Sequence, residues 1–324
     1  KGWLLSRTTL GQIVAVTGQT PSPNPLFTRL DGNSIRDPFN LDRFFAIGGR
    51  DGSLTGTTPG ALGRSEVYDR EFRTTAPSVG WSQLLPSLNT GRVYCDTVGL
   101  PDASIVVFHG ATVDSKQPPG PPAVAASRPE RLVLGSGVPW QELAPEAHLR
   151  AYHGGGLLLR DGRVVSMGGQ FDSPTNPNPT TGIAFQSDAQ IFSPGYLFQG
   201  PQPRITSVPA QVSYGMSFSV DVMILQSDSI GSVVLISPGS VTHGIDFEQR
   251  FVPLTLQSVS APTPVPPGWK SVTCTVLGPA QDPGTTPPAS HQAPPGYYLF
   301  FVLTAPSLVA PQGVPSFGRF VRVQ

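Results

Sequence analysis

Two stretches carry the side chains best suited to chemistry. In SVTHGIDFEQRFVPL, residues 240–254, His243 is followed by Asp246, Glu248 and Arg250 among apolar residues. In LRAYHGGGLLLRDGRVVSMGGQ, residues 149–170, Tyr152 and His153 stand directly before Gly154, Gly155 and Gly156. Imidazole and phenol supply nitrogen and oxygen donors that can hold a metal or carry a proton. Each group also has an ordinary reading. A single histidine on an apolar strand is a core residue with its hydrogen bonds satisfied, and a Tyr-His pair is a surface pair. Asp-x-Glu-x-Arg is a solvated strand face with one ion pair as readily as a set of groups orienting a ligand. Adjacent residues of a regular strand point to opposite faces, so Tyr152 and His153 reach one centre only where the backbone is irregular, which three following glycines permit.

The elements that must hold these residues are strands. Thirty-six glycines and 37 prolines, with 38% hydrophobic and 13% charged residues, describe a turn-dense β protein of 324 residues in which helix is scarce. Twenty-one basic and 21 acidic residues leave no net charge to attract nucleic acid or an anionic membrane. No apolar run is long enough to span a bilayer. The chain lacks an initiator Met and opens within a strand-like pattern, which reads as a processed or incomplete polypeptide. A repeat runs through TLGQIVAVTGQ (9–19), LDRFFAIGGRDG (41–52), GLPDASIVVFHGA (99–111) and LLLRDGRVVSMGGQ (157–170): a turn, a β-branched run, a glycine exit. Such recurrence predicts propeller blades, about three to four of them over residues 1–202, separated by Pro-rich surface loops. Beyond Gln202 the glycine exits stop, and MSFSVDVMI, GSVVLISP, QRFVPLTLQ, KSVTCTVLG, YYLFFVLTA and GRFVRVQ predict an immunoglobulin-like β-sandwich over 203–324. Cys95 and Cys274 occur in no CxxC or zinc-like spacing; one belongs to a blade strand and the other to a sandwich strand, so each is expected as a free, buried thiol. Asp161-Gly162 and Pro101-Asp102 read as turns, Trp81 and Trp140 as packing residues between blades, and His109, His148 and His291 show no partner pattern.

Taken in order, LRAYHGGGLLLRDGRVVSMGGQ, DAQIFSPGYLFQGPQPRI, SVTHGIDFEQRFVPL, PPGYYLFFVL and QGVPSFGRFVRV resemble the C-terminal half of the copper-radical oxidases, the galactose oxidase and glyoxal oxidase family. The resemblance covers most of residues 88–324, and LNTGRVYCDTVGLPDASIVVFHGA looks closer to the glyoxal oxidase branch. It implies an all-β chain: a partial propeller of Kelch-like blades and the C-terminal sandwich domain. It also implies copper (Cu2+) held by Tyr152 as axial phenol, His153 as imidazole, and His243 as second imidazole on a loop reaching into the propeller. Imidazole and phenolate donors suit Cu(II), and the resemblance makes Tyr152 the catalytic base. The family also uses a tyrosine cross-linked to a cysteine as a radical cofactor, and no candidate for it is found in this chain, because Tyr94 and Cys95 are neighbours whose side chains diverge.

Two functions of different class follow. The first is the C-terminal portion of a secreted oxidase that converts small aldehydes or primary alcohols, carbohydrates among them, with O2 to give H2O2, completed by an N-terminal half of the same protein. The second is a non-catalytic extracellular structural or carbohydrate-binding module of the same fold.

Overall fold

The computed structural model describes most of residues 86–324, except 113–125, 173–182, 243–244, 266 and 309–310; upstream it describes short strands and the segments 32–39 and 43–51. Every regular element among the described residues is a strand, apart from one 3-10 turn at Gly195–Phe198, and no helix is long and apolar enough to cross a membrane. The chain is all-β, as its composition predicts.

The first strands are β1 (Trp3–Leu5), β2 (Ile13–Ala15), β3 (Arg29–Leu30), β4 (Asn33–Arg36), β5 (Arg43–Ile47), β6 (Arg50–Asp51), β7 (Ser65–Asp69) and β8 (Trp81–Ser82). β1 pairs with β2 and β3 with β6, while β4-β5-β7-β8 form a four-stranded antiparallel sheet. A second such sheet contains β9 (Asp96–Gly99), β10 (Ser104–Phe108), β11 (Glu130–Val133) and β12 (Gln141–Glu142) in that spatial order. The third contains β13 (Tyr152–Leu158), β14 (Val164–Asp172), β15 (Ile183–Phe185) and β16 (Ala189–Phe192). Here β15 and β16 both pair with β14, one along Gln170–Asp172 and the other along Val164–Met167. They lie end to end, so the third sheet is only three strands wide.

β10 shows how the sheets stack. All five of its residues are buried, although a strand with one wet face would alternate. Ile105 and Val107 join Ile35, Phe45 and Ile47 of the first sheet, whereas Val106 and Phe108 join Val164 of the third. The second sheet is therefore covered on both faces. Trp140 lies in the cluster shared by the first two sheets, its indole N–H donating to the Pro86 carbonyl at 2.9 Å, as an inter-sheet packing residue should. Pro101-Asp102 and Asp161-Gly162 are turns: the Asp102 carboxylate accepts the Ser104 N–H at 3.1 Å, and Asp161 accepts the Arg163 N–H at 3.0 Å.

The remaining strands are β17 (Arg204–Ser207), β18 (Gln211–Val212), β19 (Ser217–Leu225), β20 (Ile230–Ile236), β21 (Val241–Thr242), β22 (Ile245–Asp246), β23 (Phe251–Val259), β24 (Thr263–Pro264), β25 (Trp269–Leu277), β26 (Gly296–Thr304) and β27 (Arg319–Val323). Nine of them form one sheet in the order β17-β19-β25-β23-β20-β26-β27-β18, with β24 beside β25. β23 makes the corner, pairing through Phe251–Leu254 with β20 and through Thr255–Val259 with β25. The two halves close on a shared core: Val220, Val222, Val272 and Cys274 from one half meet Val233, Leu235, Phe300 and Val302 from the other. That is a β-sandwich built by strand crossover. The opposite face of β26 is also apolar, and Leu299, Phe301 and Leu303 pack with Leu158 of β13. The sandwich is fastened to the third sheet there, where Gly318 N–H donates to the Arg160 carbonyl at 2.6 Å. Cys95 and Cys274 are buried in separate clusters and are not joined by a disulfide.

Candidate metal centre

Tyr152 and His153 open β13, but the strand does not begin regularly. Gly154 N–H donates to the Ala151 carbonyl at 3.0 Å, closing a turn whose third residue, His153, has φ +65°. A left-handed histidine costs about 1–3 kcal/mol and persists only where its surroundings impose it. The turn brings two consecutive side chains together: the Tyr152 and His153 ring centroids are 3.7 Å apart, with planes inclined at 31°. Tyr152 is half-buried and His153 exposed. The edge of Tyr94, itself left-handed at φ +58°, meets Tyr152 at 5.3 Å.

The irregular backbone expected from Gly154–Gly156 is thus carried by His153, and none of these three glycines is left-handed. They serve close approach instead. A Cβ on Gly154 would lie 2.7 Å from His109 Nδ1, one on Gly155 would lie 3.3 Å from Val241 Cγ1, and one on Gly156 would lie 3.0 Å from Val98 Cγ2 and 3.2 Å from Asp96 Oδ2. Each glycine admits a different neighbour.

His243 lies outside the described residues. The strands on either side of it, β21 and β22, pair Val241 with Asp246 and Thr242 with Ile245, and Val241 rests on Gly155 of β13. Asp246 ties this hairpin together, its Oδ1 accepting the N–H groups of Ser240 at 2.8 Å and Glu248 at 2.9 Å, while Glu248 and Arg250 form a loose pair at 4.0 Å. Asp246 therefore does more than line a solvated face. Among the described residues, no three His, Cys, Asp or Glu side chains converge on a metal position. Tyr152 and His153 do converge on each other, and their phenol and imidazole are a donor pair that fits Cu(II).

Behind the turn lies a buried polar layer that the sequence did not disclose. Asp96 accepts N–H donation from Gly156 at Oδ2 and from Thr97 at 2.9 Å at Oδ1, with Asn33 Nδ2 3.3 Å away. Burial raises its carboxyl to about 7, against the opposing pull of His109. His109 Nε2 is 2.6 Å from Ser166 Oγ and 3.3 Å from Glu146 Oε1. Burial alone would raise the Glu146 carboxyl, but hydrogen bonds from His109 and Ser166 outweigh it and hold the group below its usual range. His148 and His291 pair with Asp188 and Asp282. Tyr94 and Cys95 enter different clusters, Tyr94 beside Tyr152 and Cys95 beside Ile47, although they lie just before β9 and Tyr94 is left-handed, so the divergence does not come from strand alternation.

An all-β chain whose sandwich rests on the strand bearing a converged Tyr-His pair has the build of a galactose oxidase-like protein. Residues 202–323 match the family model described as galactose oxidase-like, Early set domain. Aldehyde oxidase GLOX1 of Arabidopsis thaliana is 30% identical over 284 residues, covering 80% of this chain and 41% of that protein. Galactose oxidase of Gibberella zeae is 31% identical over 184 residues, covering 55% of this chain and 22% of that protein. A fungal alcohol oxidase of the AA5 family, solved in complex with copper, shares the fold with a TM-score of 0.62 at 22% identity, over 91% of this chain and 54% of that one. The chain belongs to the copper-radical oxidase family, and it spans less than half the length of the curated relatives it matches.

Proposed function

We propose that this chain is the C-terminal portion of an extracellular copper-radical oxidase that oxidises aldehydes or primary alcohols, sugars included, with O2 to give H2O2. Residues 1–202 would be part of a propeller, completed by an N-terminal portion of the same protein that carries the Tyr-Cys radical partner, and 203–324 its C-terminal domain. Tyr152, His153 and His243 would hold the copper. When bound, copper supplies one-electron redox chemistry and lowers the pKa of a ligated phenol. The observation that carries the reading is the Tyr152–His153 turn, which aims a phenol and an imidazole together from consecutive positions, with a hairpin seated on the same strand at Gly155.

The residues divide the work. Tyr152 is half-buried at the mouth of the turn, where its phenolate takes the hydroxyl proton of an alcohol or hydrated aldehyde. His153 and His243 fix position and charge. Each turnover removes two electrons and two protons from the substrate, and O2 takes up both to leave as H2O2.

Copper titration of the full-length polypeptide tests this. His153→Ala and His243→Ala are expected to weaken Cu(II) binding at least tenfold, while Tyr152→Phe keeps copper and loses about 10²–10⁴ in H2O2 formation from glyoxal-type aldehydes or galactose. Wild-type copper affinity in both histidine variants overturns the ligand assignment.

A further inference from the structure

His109 stands where its counterparts are glycine. The strand exits of the three sheets read IGG at 47–49, FHG at 108–110 and MGG at 167–169. In each, the last two residues take left-handed angles: +66° and +87° at Gly48 and Gly49, +60° and +108° at His109 and Gly110, +64° and +92° at Gly168 and Gly169. The backbone task is shared as well. Arg92 Nη1 donates to the His109 carbonyl at 3.2 Å, and Arg150 Nη1 to the Gly168 carbonyl at 2.6 Å. Glycine performs that task without strain, so the imidazole at 109 is retained against backbone preference for something its side chain does.

The ring is wholly buried and tethered at one end. Ser166 Oγ donates to Glu146 Oε1 at 2.5 Å, and the other Glu146 oxygen accepts the His109 backbone N–H at 3.2 Å. Ser166 thus gives its only proton to the carboxylate, so the 2.6 Å contact with Ser166 is made through a proton on Nε2. Nδ1 is buried, has no hydrogen-bond partner among the described residues, and lies against Gly154. Gly154 is the residue whose N–H closes the turn on Ala151.

We infer that His109, held by Ser166 and Glu146, is a positioning residue whose imidazole buttresses the turn that sets Tyr152 and His153 side by side. This rests on reading those two residues as copper ligands. Without the ring, a gap opens under Gly154, and the turn can slacken toward a regular strand that splays its two side chains apart.

The decisive variant in the full-length polypeptide is His109→Gly, which installs the residue found at the other two exits. Cu(II) competition titration, the Cu(II) EPR spectrum, the thermal midpoint and, in metal-free protein, the NOE between the Tyr152 and His153 rings are compared with wild type. Expected are 10–100-fold weaker copper binding, an altered hyperfine pattern and loss of the NOE, alongside a lower melting temperature from the emptied site. Glu146→Gln loosens the tether without emptying the site and should give a smaller shift in the same direction, which keeps the test open if His109→Gly folds poorly. Wild-type affinity, spectrum and NOE in both variants overturn the inference. His153→Ala in the same titration separates the two readings: loss of binding there with none in His109→Gly removes only the buttress, whereas retained binding in His153→Ala removes the ligand reading and this inference with it.

Discussion

Asp96 joins three sheets at one carboxyl group, with Asn33 of the first, Thr97 of its own and Gly156 of the third as donors. Its folded pKa, pushed up to about 7 by burial, with His109 lowering it and Asp246 raising it further, compares with about 3.9 in an unfolded chain. Between those values the folded protein holds a proton that the unfolded chain has released. Stability from this group therefore falls as pH rises from about 4 to about 7 and levels off above. Asp96→Asn cannot ionise, so urea unfolding at pH 5 and pH 8 should show a smaller drop in the variant than in wild type. At pH 5 the variant should lose about 1–3 kcal/mol, because an amide NH2 now faces backbone donors, and at pH 8 the deficit should be smaller or gone, because wild type then carries the buried charge. An undiminished pH dependence in the variant would place the titration elsewhere.

At the scale of the element, the sheets are locked together by a device used twice. Arg92 and Arg150 precede the second and third sheets, and each donates to the carbonyl at the exit of its own sheet. The carbonyl of each accepts an N–H from the previous exit, Gly49 to Arg92 at 2.7 Å and Gly110 to Arg150 at 2.9 Å. Their acids differ. Glu130 is fully buried and also accepts N–H donation from Asn89 and Thr90, whereas the Asp188 side chain is 38% exposed. Arg92→Met should cost about 3–5 kcal/mol in urea unfolding because Glu130 keeps its buried charge without a cation; Arg150→Met should cost about 1–3 kcal/mol because water reaches Asp188. Equal losses would contradict this account. The strands themselves were legible, since β-branched runs closed by glycine mark a sheet wherever they occur. The locks were not: Arg92 and Glu130 are 38 residues apart, and nothing local pairs them. His109 escaped for the same reason, its partners Glu146 and Ser166 being 37 and 57 residues away. Setting FHG against IGG and MGG was the signal that would have marked it.

For the whole molecule, the sequence announced the sandwich and the Tyr152–His153 pair, but it misplaced the irregular backbone, because a φ value belongs to the turn and not to the residue type. It also predicted four-stranded blades, and among the described sheets the third differs from that in width. The first two sheets have a fourth strand, β8 or β12, outside the third. The third sheet stops at β15 and β16, where Phe185 is 64% and Ile191 48% exposed, with no described strand along their outer edge. An uncharged edge bearing large apolar side chains invites another strand. Two sheets of four strands show what this architecture adds at that position, and relatives more than twice as long as the matched region hold ample chain to supply it. The proposed occupant is a strand from the rest of the same polypeptide. Hydrogen exchange reads this directly, because alternate amides of residues 183–192 point away from β14. Those outward amides should exchange at least tenfold more slowly in the full-length protein than in the 324-residue chain, and Ile191→Lys should reduce self-association of the shorter chain through that edge. Equal exchange in the two proteins would mean that the edge faces solvent in both, and that the third sheet is complete at three strands.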